Sequence, residues 1–172
     1  IMIIQENQFR KMKSFSLKEE KDPYEGTELF KIKQLSSRTK GAFFEHFTKE
    51  ALKNKGFQIE KPKSSDHDFI LSRTLKVEVK GSFLWNKVNT FRFQQIRSNQ
   101  DYDLIIFLAA YPRKIVLYGA YKQEAMKFLQ VQNSNGEWIH NQHGGKGKNS
   151  GTFFIDCLPE NVSWMKELSE IL

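Results

Sequence analysis

Ser65-Asp66-His67-Asp68-Phe69-Ile70-Leu71, followed after a short connection by Lys76-Val77-Glu78-Val79-Lys80-Gly81, is the stretch on which the rest of the chain turns. Phe69-Ile70-Leu71 is a short apolar run and residues 75–79 alternate, so each predicts a strand. Alternation places Val77 and Val79 on one side, with Lys76, Glu78 and Lys80 on the other. If the two strands pair, Asp68 at the head of the first approaches Glu78. Carboxylates converging on one point repel each other unless a cation lies between them, and a hard divalent ion with oxygen ligands suits that place. A water whose pKa such an ion lowers can attack a phosphodiester. Lys80 could orient that water and offset the charge growing on phosphorus.

A half-exposed structural strand, charges outward and valines inward, would give the same pattern. Glu-x-Lys also occurs at Glu19-Glu20-Lys21. That copy sits in a charge run without a strand around it. The Glu78 copy has its own strand, an acidic residue heading the strand before it, and Gly81 directly after, so context favours it.

Outward from this stretch, the spacing predicts a helix over 37–55. Ala42, Phe43, Phe44, Phe47, Ala51 and Leu52 form its apolar stripe, Ser36 or Ser37 can cap it, and Gly56 stands where it should end. A strand is expected over 57–60, before Lys61-Pro62. Residues 90–97 fit either an extended or a helical segment. Leu104-Ile105-Ile106-Phe107-Leu108-Ala109-Ala110 is apolar almost throughout, as a central strand buried on both faces would be. A strand over 115–120, a helix over 122–129, a strand over 152–155 and a final helix from about residue 160 follow. That last helix would carry Val162, Trp164, Met165, Leu168 and Ile171. The first 35 residues read as one short helix and a loop, with a turn at Asp22-Pro23. The expected class is α/β (α+β), a mixed central sheet flanked by helices.

The chain has 172 residues, enough for one domain with a real core. Its 27 Lys and Arg against 20 Asp and Glu give a formal charge of +7. That excess suits a polyanionic partner, although a soluble protein can be basic without one. The lone Cys157 excludes an internal disulfide and a zinc cluster, so a reducing, cytoplasmic setting is expected. Ile1-Met2-Ile3-Ile4 precedes Arg10, Lys11 and Lys13, the reverse of a secretion signal's charge order, and no membrane span is visible.

Asp68 with Phe69-Ile70-Leu71, then Val77-Glu78-Val79-Lys80, resembles the motif of the PD-(D/E)XK nuclease superfamily. That superfamily includes type II restriction endonucleases, resolvases and repair nucleases. The resemblance implies a restriction-endonuclease-like αβββαβ core over about 37–120, roughly half of this chain. Residues 121–172 would then be a C-terminal extension of the same single domain. It implies Asp68, Glu78 and Lys80 as catalytic residues and a Mg2+ ion, replaceable by Mn2+, held at Asp68, Glu78 and Val79. Where the family often has Pro before the Asp, this chain has His67, and Asp66 remains an alternative to Asp68. Family members often carry a metal-linked Glu on the first core helix, and Glu45 is the match.

Phe91-Arg92-Phe93-Gln94-Gln95-Ile96-Arg97 follows the Glu78 strand, where the superfamily often lines its cleft. Arg92, Gln94, Gln95 and Arg97 are candidate DNA contacts, since Arg suits guanine and Gln adenine. Equally, Phe91 and Phe93 could be core residues with the Arg side chains solvated. Tyr102 and Asp103 are expected to serve the start of the buried strand rather than chemistry. The basic, Gly-rich segment 140–149 contains Lys146 and Lys148, which could hold phosphates. Its two His residues lack partner ligands for a metal site. The resemblance thus leads to a Mg2+-dependent endonuclease of double-stranded DNA, foremost a type II restriction enzyme acting as a homodimer. A structure-specific repair or resolving nuclease, and a non-catalytic nucleic-acid-binding domain, are the alternatives.

Overall fold

A computed structural model describes residues 21–85, 87–129 and 151–172. Chain order is α1 (Glu28–Lys33), α2 (Ser37–Asn54), β1 (Ile59–Glu60), β2 (Phe69–Leu71), β3 (Leu75–Trp85), β4 (Thr90–Arg97), β5 (Leu104–Tyr111), β6 (Lys114–Tyr121), α3 (Lys122–Leu129), β7 (Thr152–Cys157) and β8 (Lys166–Glu167). This is a mixed α/β architecture with few helices and one sheet, in which β1-β2-β3-β5-β6-β8 run side by side.

Helix α2 forms where its stripe places it. Ser36 caps it by accepting the Thr39 N–H at 3.2 Å, and Gly56 takes φ +90° just past its end. Its buried residues are Phe44, Thr48 and Leu52, four apart on one face, and Thr48 hides its hydroxyl by donating to the Phe44 carbonyl at 2.8 Å. Strand β5 is buried from Leu104 to Ala110. It lies parallel to β3 on one side and antiparallel to β6 on the other, so both edges are paired and both faces covered. One face, with Ile105, Phe107 and Ala109, joins a core with Phe91, Phe93, Ile96 and Phe153. Leu104 and Ile106 pack on the other face with Leu52, Phe69 and Val77. Burying each such Leu, Ile or Phe contributes roughly 2 kcal/mol.

Strand β3 runs well beyond the expected 75–79 and serves two partners. Residues Val77 to Phe83 pair with β5, while Leu84 and Trp85 pair with β4. Where β3 changes partner, the buried Ser82 hydroxyl accepts the Arg92 N–H at 3.0 Å and replaces a ladder bond. Tyr24 closes the gap between β3 and β5. Its hydroxyl accepts the Leu84 N–H at 2.8 Å and donates to the Ala110 carbonyl at 2.5 Å. Full burial first of all raises its phenol pKa to about 12.

Two expectations are corrected. The αβββαβ order does not hold over 37–120, because the link between parallel β3 and β5 is strand β4 rather than a helix. Phe91, Phe93 and Ile96 are drawn into the core through antiparallel pairing of β4 with β7, which a helix would forgo. The C-terminal helix is also absent. Pro159–Asn161 and Leu168–Glu170 are single 3-10 turns flanking β8, which pairs with β6 at Tyr118 and Gly119. Met165 and Leu168 still reach the core, but the free edge of β6 is covered by strand pairing. No helix among the described residues is long and apolar enough to cross a membrane.

Candidate active site

The pairing of β2 with β3 brings the acids together. Phe69 lies opposite Val77, and Asp68, directly before β2, stands near enough for the Glu78 carboxylate to act on it. The Asp68 N–H still bonds the Val77 carbonyl, at 2.8 Å, but β2 goes no further. The next outward amide on that edge, Val79 N–H, therefore meets the Asp68 side chain, whose Oδ2 accepts it at 2.7 Å. In a strand, a residue's carbonyl projects from the same edge as its N–H, so the Val79 oxygen also looks past the end of β2.

Glu78 is 8% exposed, and Lys80, two residues on and on the same face, places Nζ 2.6 Å from its Oε1. Burial, then the neighbouring Glu78 carboxylate, pushes the Asp68 pKa from 3.8 up to about 6. The Val79 N–H opposes that rise, Glu45 adds to it, and Lys80 opposes it. Glu45 thus lies within electrostatic reach of Asp68. It is ion-paired with Lys49 one turn along α2, and the Lys49 ammonium stands 5.6 Å from the centroid of the Phe69 ring. The Asp66 N–H is held by the Ser64 hydroxyl at 3.2 Å, and the Asp66 charge is not among those acting on Asp68.

His67, in the place of the family's Pro, is buried and structural. Its Nδ1 lies 3.1 Å from the Asp101 carbonyl, tying the segment before β2 to the segment before β5. Asp103 clamps the same junction, donating its N–H to the Lys76 carbonyl and accepting the Lys76 N–H, each at 2.9 Å. Tyr102 donates to the Arg97 carbonyl at 2.9 Å, in line with a role at the start of β5. Its ring also lies near Glu78. Burial, and then that carboxylate, raise its pKa. Nothing in its local sequence announces this proximity, because it depends on β3 and β5 lying parallel.

Among the described residues no three His, Cys, Asp or Glu side chains form a ready metal cluster. The Asp68 and Glu78 carboxylates and the Val79 carbonyl would offer hard oxygens. That set fits Mg2+, which binds through one or two carboxylates and keeps several waters. The site is an open strand edge. A cavity of about 730 Å3, lined by Thr27, Leu29, Ile32, Phe43, Phe47 and Arg113 among others, lies apart from it and includes none of these acids.

The candidate DNA contacts divide. Arg92 gives Asp156 a two-pronged ion pair, Nε to Oδ1 at 2.7 Å and Nη2 to Oδ2 at 2.5 Å. Its guanidinium also lies 4.9 Å from the Trp85 ring centre and 5.4 Å from that of Phe154. Its donors are therefore engaged within the protein. Phe91 and Phe93 are fully buried. Gln94 and Gln95 are exposed at a bulge in β4 where Gln95 takes φ +56°, and Arg97 is exposed beyond it. Lys146, Lys148, the rest of segment 140–149 and the Glu19-Glu20 part of the decoy triplet lie outside the described residues.

No protein-family model and no curated protein matches the chain. Among solved structures, the bacterial homing endonuclease I-Ssp6803I is similar over 78% of this chain and 84% of its own, at 16% identity and a TM-score of 0.46.

Proposed function

We propose that the chain is a Mg2+-dependent endonuclease of double-stranded DNA, with an active site of the PD-(D/E)XK kind. The observation that carries this reading is Asp68 held on the Val79 N–H within electrostatic reach of Glu78, with Lys80 against Glu78. A purely structural strand would gain little by holding two carboxylates together on a largely buried face. Asp68, Glu78 and the Val79 carbonyl would hold Mg2+ or its substitute Mn2+. Bound there, the ion supplies Lewis-acid activation of water and of the scissile phosphate. The chain's own groups supply the rest. Asp68, ionised, and Glu78 would hold the ion, and the Lys80 ammonium beside Glu78 would offset charge developing on the phosphate. Glu45 adds negative charge at the helix side and can hold a water.

The specific role proposed is type II restriction by a homodimer, because two-fold symmetry matches palindromic sites and one domain of this size supplies one cutting centre. The test is incubation of supercoiled and linear DNA with Mg2+ or EDTA, using wild type and Lys80→Ala. Discrete fragments with Mg2+ alone, lost in Lys80→Ala, support it. Undiminished cutting by Lys80→Ala overturns the site. Preference for branched or flapped substrates would move the role to repair or resolution.

One observation favours a second reading. Asp68 is bonded to Val79 N–H and Glu78 to Lys80, so each is satisfied within the protein. A nucleic-acid-binding domain with a structural acid pair would have the same bonds. It predicts binding without cleavage, unaffected by Asp68→Asn.

A further inference from the structure

Helix α2 rests on β3 at a residue that carries no side chain. A Cβ built on Gly81 would lie 2.1 Å from Cδ2 and 2.2 Å from Cγ of Phe44. Both distances are far inside van der Waals contact. The Phe44 ring cannot swing clear, because it is 5% exposed and packed against Phe83 and Phe43, with ring centres 5.5 and 5.9 Å away. Any side chain at 81 must therefore push the helix off the sheet, since close-packed interiors do not absorb such an overlap locally. Glu45 is the next residue on that helix, and Gly81 is the next residue after Lys80 on that strand. One turn on, Lys49 holds Glu45 and overlies Phe69, the neighbour of Asp68.

We propose that Gly81 is a positioning residue of the metal site: by letting the Phe44 ring rest on the β3 backbone, it sets the helix-to-sheet spacing that brings Glu45 within electrostatic reach of Asp68. This rests on the proposed metal-dependent function and assigns a task to the glycine that closes the Lys80 stretch. Gly81 sits within strand β3 without a positive φ. Its lack of a side chain is needed for space alone, so Ala is excluded only by the ring above it. The remedy for the substitution is consequently to remove the ring.

The experiment is Mn2+ binding to the full chain by titration calorimetry, without DNA, with folding checked by circular dichroism. The variants are Gly81→Ala, Glu45→Gln, their combination, Phe44→Ala, and Gly81→Ala with Phe44→Ala. Gly81→Ala is expected to weaken binding roughly tenfold, as loss of an outer-shell support does. In the Glu45→Gln background it should add less than about twofold, because the group it positions is already neutral. Phe44→Ala should restore binding to Gly81→Ala to within about threefold of Phe44→Ala alone. Wild-type affinity in Gly81→Ala, or an equal loss in the Glu45→Gln background, overturns the proposal while leaving the metal site standing. Wild type that binds no Mn2+ removes the metal-dependent function and this proposal together.

Discussion

The Asp68 carboxylate accepts the Val79 N–H at 2.7 Å, taking the place of a backbone partner at the point where β2 stops and β3 continues. The candidate metal ligand is thereby held by the strand next to it rather than by its own. Asn keeps the acceptor and discards the charge. Asp68→Asn is expected to abolish Mg2+-dependent cleavage while raising stability at pH 7 by about 2 kcal/mol, since the ionised carboxylate is disfavoured there by burial and by Glu78. Plasmid cleavage and urea unfolding measure the two effects. Asp66→Asn should change neither, and loss of cleavage in that variant would move the site to Asp66.

Stability should depend on pH through the same group. The Asp68 carboxyl ionises near its ordinary 3.8 in the unfolded chain and at about 6 in the folded one. The native state holds the proton more tightly, so this group favours folding most below its unfolded pKa. That contribution is lost as pH rises through about 6. Cleavage needs the ionised form and should rise over the same interval. Added Mg2+ should shift the rising limb to lower pH, because the ion competes with the proton. A limb insensitive to Mg2+ concentration would detach Asp68 from the metal.

Lys80→Met tests the cation apart from its stem. Lys80 and Glu78 side chains are 15% and 11% exposed, so removing the ammonium strands a nearly buried carboxylate. A loss of about 3 kcal/mol is expected in metal-free buffer. The double variant Lys80→Met with Glu78→Gln should recover most of it while remaining inactive. Thermal unfolding of the set with EDTA present decides this.

Arg92 and Arg97 should behave differently toward DNA. Arg97 is exposed, and Arg97→Ala should weaken binding and lower the salt slope by roughly one unit. Arg92 is held by Asp156, and Arg92→Ala should mainly destabilise the β4–β7 ribbon. Asp156→Asn should free the guanidinium and strengthen non-specific binding. Filter binding across a range of salt concentrations separates these outcomes.

Tyr24→Phe should cost about 2 kcal/mol, because it leaves the Leu84 N–H and the Ala110 carbonyl without their shared partner in a buried place. Denaturant unfolding reads this directly.

By itself the sequence determined the elements whose residues report their own surroundings. The stripe of α2, the Ser36 cap, the unbroken apolar β5 and the alternation at Val77-Glu78-Val79 are local patterns, and each stands where its periodicity places it. The segment at Thr90–Arg97 was open between strand and helix, and only its pairing with Cys157, Asp156 and Ile155 on β7 made it a strand. The C-terminal apolar residues fit a helical spacing, but an unpaired β6 edge took Lys166 and Glu167 instead. For the site, the sequence supplied Asp68, Glu78 and Lys80 but left Asp66 open. The end of β2 then put the Asp68 side chain on the Val79 N–H, within electrostatic reach of Glu78. The ion pair of Arg92 with Asp156, the nearness of Tyr102 to Glu78 and the seat of Phe44 on Gly81 join residues far apart in the chain. Side-chain period is a property of a segment alone. Partner choice is set by which edges and charges remain unsatisfied once the sheet has formed, and that exists only in the folded chain.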